Sequence, residues 1–161
     1  MGFKAPVIVW DFYAALDGAE SRIYTLDLHK VLIQDLSFSH DDQFLASLGG
    51  RDDNNLVIWD LETGTAICGS PASTDSTLCV RWLKKSSHTL VTGGFYNLRL
   101  WQFDASARKI RPHDCVLGPI RRVICSICIS EEDDFAFCGT QVQSLSLSLL
   151  FSYKFCSPLT H

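Results

Sequence analysis

Apolar and polar positions alternate along most of this chain in short runs separated by glycine- and aspartate-rich breaks, the pattern of strands joined by tight turns. The clearest stretch is 28–60, LHKVLIQDLSFSHDDQFLASLGGRDDNNLVIWD. It holds an apolar run at 31–38, an acidic turn at His40, Asp41 and Asp42, a second run at 44–48, a glycine break, and a third run at 56–59. That arrangement predicts three short strands and two turns. After Asp60, a turn at Thr63 and Gly64 leads to a short outer strand, and residues 71–75 form a polar loop.

Neighbouring stretches repeat the layout. The residues VIVWD at 7–11 read as the end of an incomplete unit, followed by a linker through Asp17, Gly18, Ala19 and Glu20 and an outer strand at 22–26. Strands at 78–83, 89–92 and 97–103 form a second full unit. A third unit starts at Arg122 with VICSICIS, turns at Glu131, Glu132, Asp133 and Asp134, and continues as FAFCGT. The pattern then fails. Residues 144–149 alternate serine and leucine, which fits a half-buried strand or an unrelated tail.

His29 near the start of the 28–60 stretch and the Trp59, Asp60 dipeptide at its end resemble a WD40 repeat, and the interval between Trp59 and Trp101 suits the roughly 40–45-residue WD40 period. The resemblance implies an all-β fold of WD40 β-propeller blades, here an incomplete propeller. Its implied division is a partial blade over 1–27, full repeats over about 28–70 and 76–112, the start of another over 122–140, and a divergent tail over 141–161. Trp10, Asp11, Asp60 and Trp101 take blade-end positions. The resemblance further implies a buried tetrad of His29, Ser47, Asp53 and Trp59, in which carboxylate, imidazole, hydroxyl and indole satisfy one another.

A catalytic triad of Ser47, His29 and Asp53 is the competing reading. It requires an exposed nucleophile beside an oxyanion hole, and no GxSxG elbow is present. The second repeat lacks the tetrad: Phe95 stands where Asp53 would, Thr92 where Ser47 would, and no histidine precedes its first strand. Packing of Phe95, Trp82 and Trp101 is expected to replace the polar network there.

Composition narrows the function. A content of 47% apolar residues marks a globular chain, and a net charge of −4 argues against nucleic-acid binding. The one basic cluster is Arg108, Lys109, Arg111, Arg121 and Arg122, a solvated blade edge or a contact for an acidic protein surface such as tubulin. No stretch approaches the roughly 20 apolar residues of a membrane span, and the amino terminus is too short in apolar residues for a signal peptide, so a cytoplasmic protein with no membrane partner is expected. Seven cysteines read as free thiols. Cys125 and Cys128 form a CxxC whose strand setting puts the two side chains on opposite faces, against a metal or redox role. No cofactor, metal or small-molecule substrate is expected.

Beyond the generic repeat, the strings MGFKAPVIVWD, FLASLGGRDDNNLVIWDLETGTAICGSPAS and ISEEDDFAFCGT resemble a family of WD40 proteins of motile cilia. That resemblance implies a long, two-propeller scaffold without enzyme activity, seated in the lumen of the axonemal doublet microtubule and binding tubulin and other inner proteins. The alternative is a general cytoplasmic WD40 adaptor. The small number of repeats reads as a truncated or alternatively spliced form whose open flanks leave it marginal or oligomerising.

Overall fold

The computed structural model describes residues 4–119 and 121–141, together with the backbone of 150–154. Strands β1 (Val7–Trp10) and β2 (Arg22–Leu26) pair antiparallel as a two-stranded sheet. Two four-stranded meanders follow, β3 (Ile33–Phe38), β4 (Phe44–Gly49), β5 (Asn55–Asp60) and β6 (Thr65–Pro71), then β7 (Thr77–Trp82), β8 (Thr89–Gly94), β9 (Asn97–Asp104) and β10 (Lys109–Asp114). A last sheet holds β11 (Val123–Ile129), β12 (Phe135–Gln141) and β13 (Leu150–Lys154) in that order. Every pairing is antiparallel between sequence neighbours.

The sheets stack face to face, and strand alternation sends successive residues into different cores. In β4 and β5, Leu45, Val57 and Trp59 face β1 and β2, where they meet Val7 and Leu26. Ala46, Leu48, Leu56 and Ile58 face the other way, toward Val80, Trp82, Leu90, Trp101 and Phe103. Val91, Cys79 and Leu98 of the next sheet face Ile124, Ile127, Ile129, Ala136 and Cys138. Both middle sheets are therefore covered on both faces. This is why β5 reads as a continuous apolar run rather than a half-buried alternation.

The three inner strands share one irregularity. The ladder of β3 on β4 shifts between Ile33 and Asp35, that of β7 on β8 between Thr77 and Cys79, and that of β11 on β12 between Ile124 and Ser126. Each is a one-residue bulge at the same place in the repeat, and it increases the local twist of the strand entering the stack. Aligned on it, Ser47, Thr92 and Cys138 occupy one register position in the three sheets.

Three features depart from the sequence reading. The stretch ahead of the expected linker is a short helix, α1 (Phe12–Leu16): Asp11 caps it, its carboxylate accepting the Ala14 amide at 3.0 Å, and Gly18 follows in the left-handed region at φ 71°. Val31 stands outside the first inner strand at φ 62°, and the strand begins at Ile33. The serine–leucine alternation of 144–149 lies outside the described residues, while β13 beyond it pairs with β12 in the third-strand place. No described helix is long and apolar enough to cross a membrane.

Leu90 is fully buried in the core between the two four-stranded sheets. Leu90→Ala is expected to lower the unfolding free energy by about 2–5 kcal/mol, read as a fall in the denaturant midpoint without a change in slope.

Candidate functional site

The residues that carry polar chemistry in the sequence, His29, Ser47, Asp53 and Trp59, converge at one end of the first four-stranded sheet. His29 lies just ahead of β3, Ser47 in β4, Trp59 in β5, and Asp53 in the connection between the last two. The His29 Nδ1 is 3.0 Å from Asp53 Oδ2, its Nε2 is 2.7 Å from Ser47 Oγ, and Trp59 Nε1 donates to the same Oγ at 2.7 Å. A carboxylate can only accept, so Nδ1 carries the proton toward Asp53. Nε2 then accepts the Ser47 hydroxyl proton, and the hydroxyl oxygen accepts the indole N–H. Asp53 also takes the backbone amides of Lys30 at 2.9 Å and Asn55 at 3.2 Å.

His29 is 2% exposed and Ser47 not at all. Fully buried, with its proton directed to His29 and its oxygen accepting the Trp59 indole, Ser47 is out of reach of a substrate in solvent. The network fixes the connection 50–54 over the sheet edge, each bond contributing roughly 0.5–1.5 kcal/mol.

One requirement of this cluster was not evident from the repeat pattern. A Cβ at Gly49 would lie 1.6 Å from Asp53 Oδ1 and 2.7 Å from His29 Nδ1, so the carboxylate and imidazole occupy the space a side chain would fill. The glycine that ends the β4 run was the available signal.

The second sheet keeps only the inner half of this network. Trp101 Nε1 donates to Thr92 Oγ1 at 2.9 Å, and both residues are fully buried. Phe95 does not enter the core to replace the missing carboxylate. It is 39% exposed and packs edge-on against Tyr96, with ring centroids 6.3 Å apart. The backbone closes the gap instead. A Cβ on Gly94 would fall 2.3 Å from Ser76 O and 2.6 Å from Thr77 Cα, where one on Gly49 meets Asp53 and His29, while the Phe95 amide donates to Ser76 O at 2.9 Å as the Gly50 amide donates to Leu32 O at 2.8 Å in the first sheet. Trp82 and Trp101 do pack, in the core between the two four-stranded sheets, where Trp82 meets Phe103 edge to face at 5.9 Å.

In the third sheet a thiol, Cys138, takes the register position of Ser47 and Thr92. Burial pushes its pKa up to about 11 and that of Cys79 up to about 12. Cys125 and Cys128 are both exposed, contrary to the expectation of opposite faces, because the bulge at Cys125 resets the alternation of β11. Among the described residues no group of three His, Cys, Asp or Glu side chains could hold a metal ion.

Polar side chains also join sheet to sheet. Inner strand β7 presents one edge to β3. There Asp35 Oδ2 accepts the Val80 amide at 2.9 Å and Arg81 Nη1 at 2.6 Å, while Ser37 Oγ accepts the Trp82 amide at 3.1 Å. Asn54 reaches across with both ends of its amide, donating to Ser73 O and Asp75 O and accepting from the Thr77 amide. At the next junction Asp133 accepts the Lys84 and Lys85 amides at 2.7 and 2.8 Å, with Lys84 paired to Glu131 and Lys85 to Glu132. These bonds occupy strand-edge groups that would otherwise be open to foreign strands.

The blade-end residues take separate tasks. Asp60 orders the following turn by accepting the Glu62 amide and the Thr63 hydroxyl, whereas Trp10 is 59% exposed. The basic cluster is divided: Arg108, Lys109 and Arg111 lie on or beside outer strand β10, and Arg121 and Arg122 precede inner strand β11. Arg108 bonds Ala66 O and Arg121 stands over the Tyr96 ring at 5.4 Å.

Stacked antiparallel meanders, a bulge recurring on each inner strand and a histidine–serine–aspartate–tryptophan network define a partial β-propeller of the WD40 class. The β-propeller domain of Myceliophteria thermophila Cps50 (Swd1) superposes with a TM-score of 0.70 at 16% identity, covering 95% of this chain and 50% of that one. In sequence the chain is similar to cilia- and flagella-associated protein 52: 46% identical over 140 residues to that of Chlamydomonas reinhardtii and 38% over 143 residues to that of Bos taurus. Those matches cover 87% of this chain and 22% of each relative, so the chain spans about a fifth of their length. No family model matches.

His29→Ala removes the acceptor of the Ser47 hydroxyl proton and one of the three donors to Asp53, and the expected loss is on the order of 1–3 kcal/mol in chemical unfolding, with Gly49→Ala at least as damaging. Native-state thiol titration is expected to label Cys125 and Cys128 at once. Cys79 and Cys138, buried and with thiolates suppressed near neutral pH, should react only after denaturation.

Proposed function

We propose that the chain is a non-enzymatic scaffold module of motile cilia and flagella, belonging to the cytoskeleton of the axoneme. In this reading it sits on the inner side of the doublet microtubule, contacts tubulin and other inner proteins, and stabilises the lattice. The observation that carries the reading is the 46% identity over 140 residues to cilia- and flagella-associated protein 52 of Chlamydomonas reinhardtii. The chemistry of the cluster agrees with a structural role. The hydroxyl, imidazole and carboxylate that could have formed a reaction centre are buried and spend their hydrogen bonds on one another. The tetrad acts in this proposal as a fixed frame for the loops that meet partners, and the sheet-to-sheet bonds of Asp35, Ser37, Asn54 and Asp133 keep those loops at set spacings.

Expressed with a fluorescent tag in multiciliated cells, the chain is expected to enter the axoneme and to stay along the doublets after detergent extraction. A diffuse cytosolic signal from folded protein would overturn this reading and favour a general cytoplasmic WD40 adaptor.

A further inference from the structure

Outer strand β10 carries an alternation of its own. Lys109, Arg111 and His113 take every second position, with Ile110, Pro112 and Asp114 between them. Ile110 packs on the core shared with the first four-stranded sheet, so the three basic side chains stand on the opposite face, and all three are exposed. On that face Arg111 lies across the ladder from Gln102, and Gln102 across from Thr89. Together with His88 they line an open groove of about 590 Å³.

Charge points to the occupant. The chain is acidic, at −4, and its lysine and arginine ion pairs among the described residues use Lys4, Arg81, Lys84, Lys85 and Arg99. Lys109, His88 and His113 have no side-chain hydrogen bond or ion pair among the described residues. The carboxylate at the end of the groove is Asp104, across from Lys109. It is committed to its own turn: the Ala107 amide at 2.9 Å and the Ser106 hydroxyl at 2.7 Å, with Arg111 further off, hold its carboxyl below the usual range. Two fixed cations thus face one carboxylate that is already bonded. Strand geometry sets Lys109, Arg111 and His113 about 7 Å apart, which is also the repeat of alternate side chains in any extended segment. We propose that this face of β10 is the docking surface for an acidic protein segment lying extended along it, whose alternate carboxylates meet the ammonium, the guanidinium and the imidazole N–H. A scaffold gains an attachment through charge in this way, and because binding is read in solution, its failure leaves the axonemal reading standing.

The test is fluorescence anisotropy of a labelled peptide of alternating glutamate and serine, titrated with the full 161-residue chain. Lys109→Glu and Arg111→Glu are compared with Arg22→Glu, a charge reversal of equal size on exposed β2. The expected result is saturable binding that weakens several-fold as salt is raised. Each β10 variant should weaken it about tenfold, while Arg22→Glu leaves it unchanged. Circular dichroism and thermal melting check that the variants fold, and Lys109→Gln with Arg111→Gln repeats the design should a reversal unfold the chain. No binding at hundreds of micromolar chain overturns the proposal. Equal weakening by Arg22→Glu shows attraction to overall charge and overturns the site. Equal affinity for a peptide carrying the same number of glutamates at every fourth position overturns the extended register. Tighter binding of single-stranded RNA, lost in the same β10 variants, gives the surface to nucleic acid and overturns the protein partner.

Discussion

Burial of both faces of a sheet is the constraint on which this molecule depends. A short meander of four strands cannot bury enough apolar surface to stand alone, and each one here is stable because a neighbour covers it. The requirement explains the composition of β4 and β5, where Leu45 and Val57 serve one core and Leu48 and Ile58 the next. It also bears on how the polar groups of the first full sheet are matched. Once a sheet is covered on both sides, a hydroxyl, imidazole or indole within it can find a partner only inside, as Ser47, His29 and Trp59 do, whereas Trp82 Nε1 and Asn97 Oδ1 of the second sheet are buried without one.

The second and third sheets show how such a network can be dismantled step by step. Loss of the histidine and aspartate together is tolerable where loss of either alone is not. In the second sheet backbone lies where the side chains of the network lie in the first: a Cβ on Gly94 would meet Ser76 O and Thr77 Cα, and one on Gly49 meets Asp53 and His29. Thr92 and Trp101 keep the one bond that both still need. By the third sheet the register position holds Cys138, a weak hydrogen-bonding group that sits among isoleucines as a small apolar residue.

Strand runs, turns and the order of the repeats were legible in the sequence because period-two alternation and glycine or aspartate breaks are local signals. Where competing forces decide, the pattern was less informative. Alternation alone placed Cys125 and Cys128 on opposite faces, and one bulged residue reversed that. Phe95 read as a core residue because it is aromatic, yet it sits at a hairpin tip beside Tyr96, whose φ of 58° turns the chain outward. The α1 turn escaped notice because Asp11 fits a strand end as well as a helix cap. The sheet-to-sheet bonds of Asp35, Ser37 and Asn54 join residues far apart in the chain, and no local spacing announces them.

Those bonds have a mechanical consequence. Val80, Trp82 and Thr77 donate their amides at successive heights along one inner strand, each to a different side chain of the preceding sheet. A force sliding one blade past the next would have to rupture them together, in shear, rather than one after another as in peeling a hairpin. An assembly under cyclic bending gains more from such parallel loading than from a larger number of contacts that fail in sequence. The junction between the two full blades is therefore built to resist sliding, with stiffness concentrated along the inner strands.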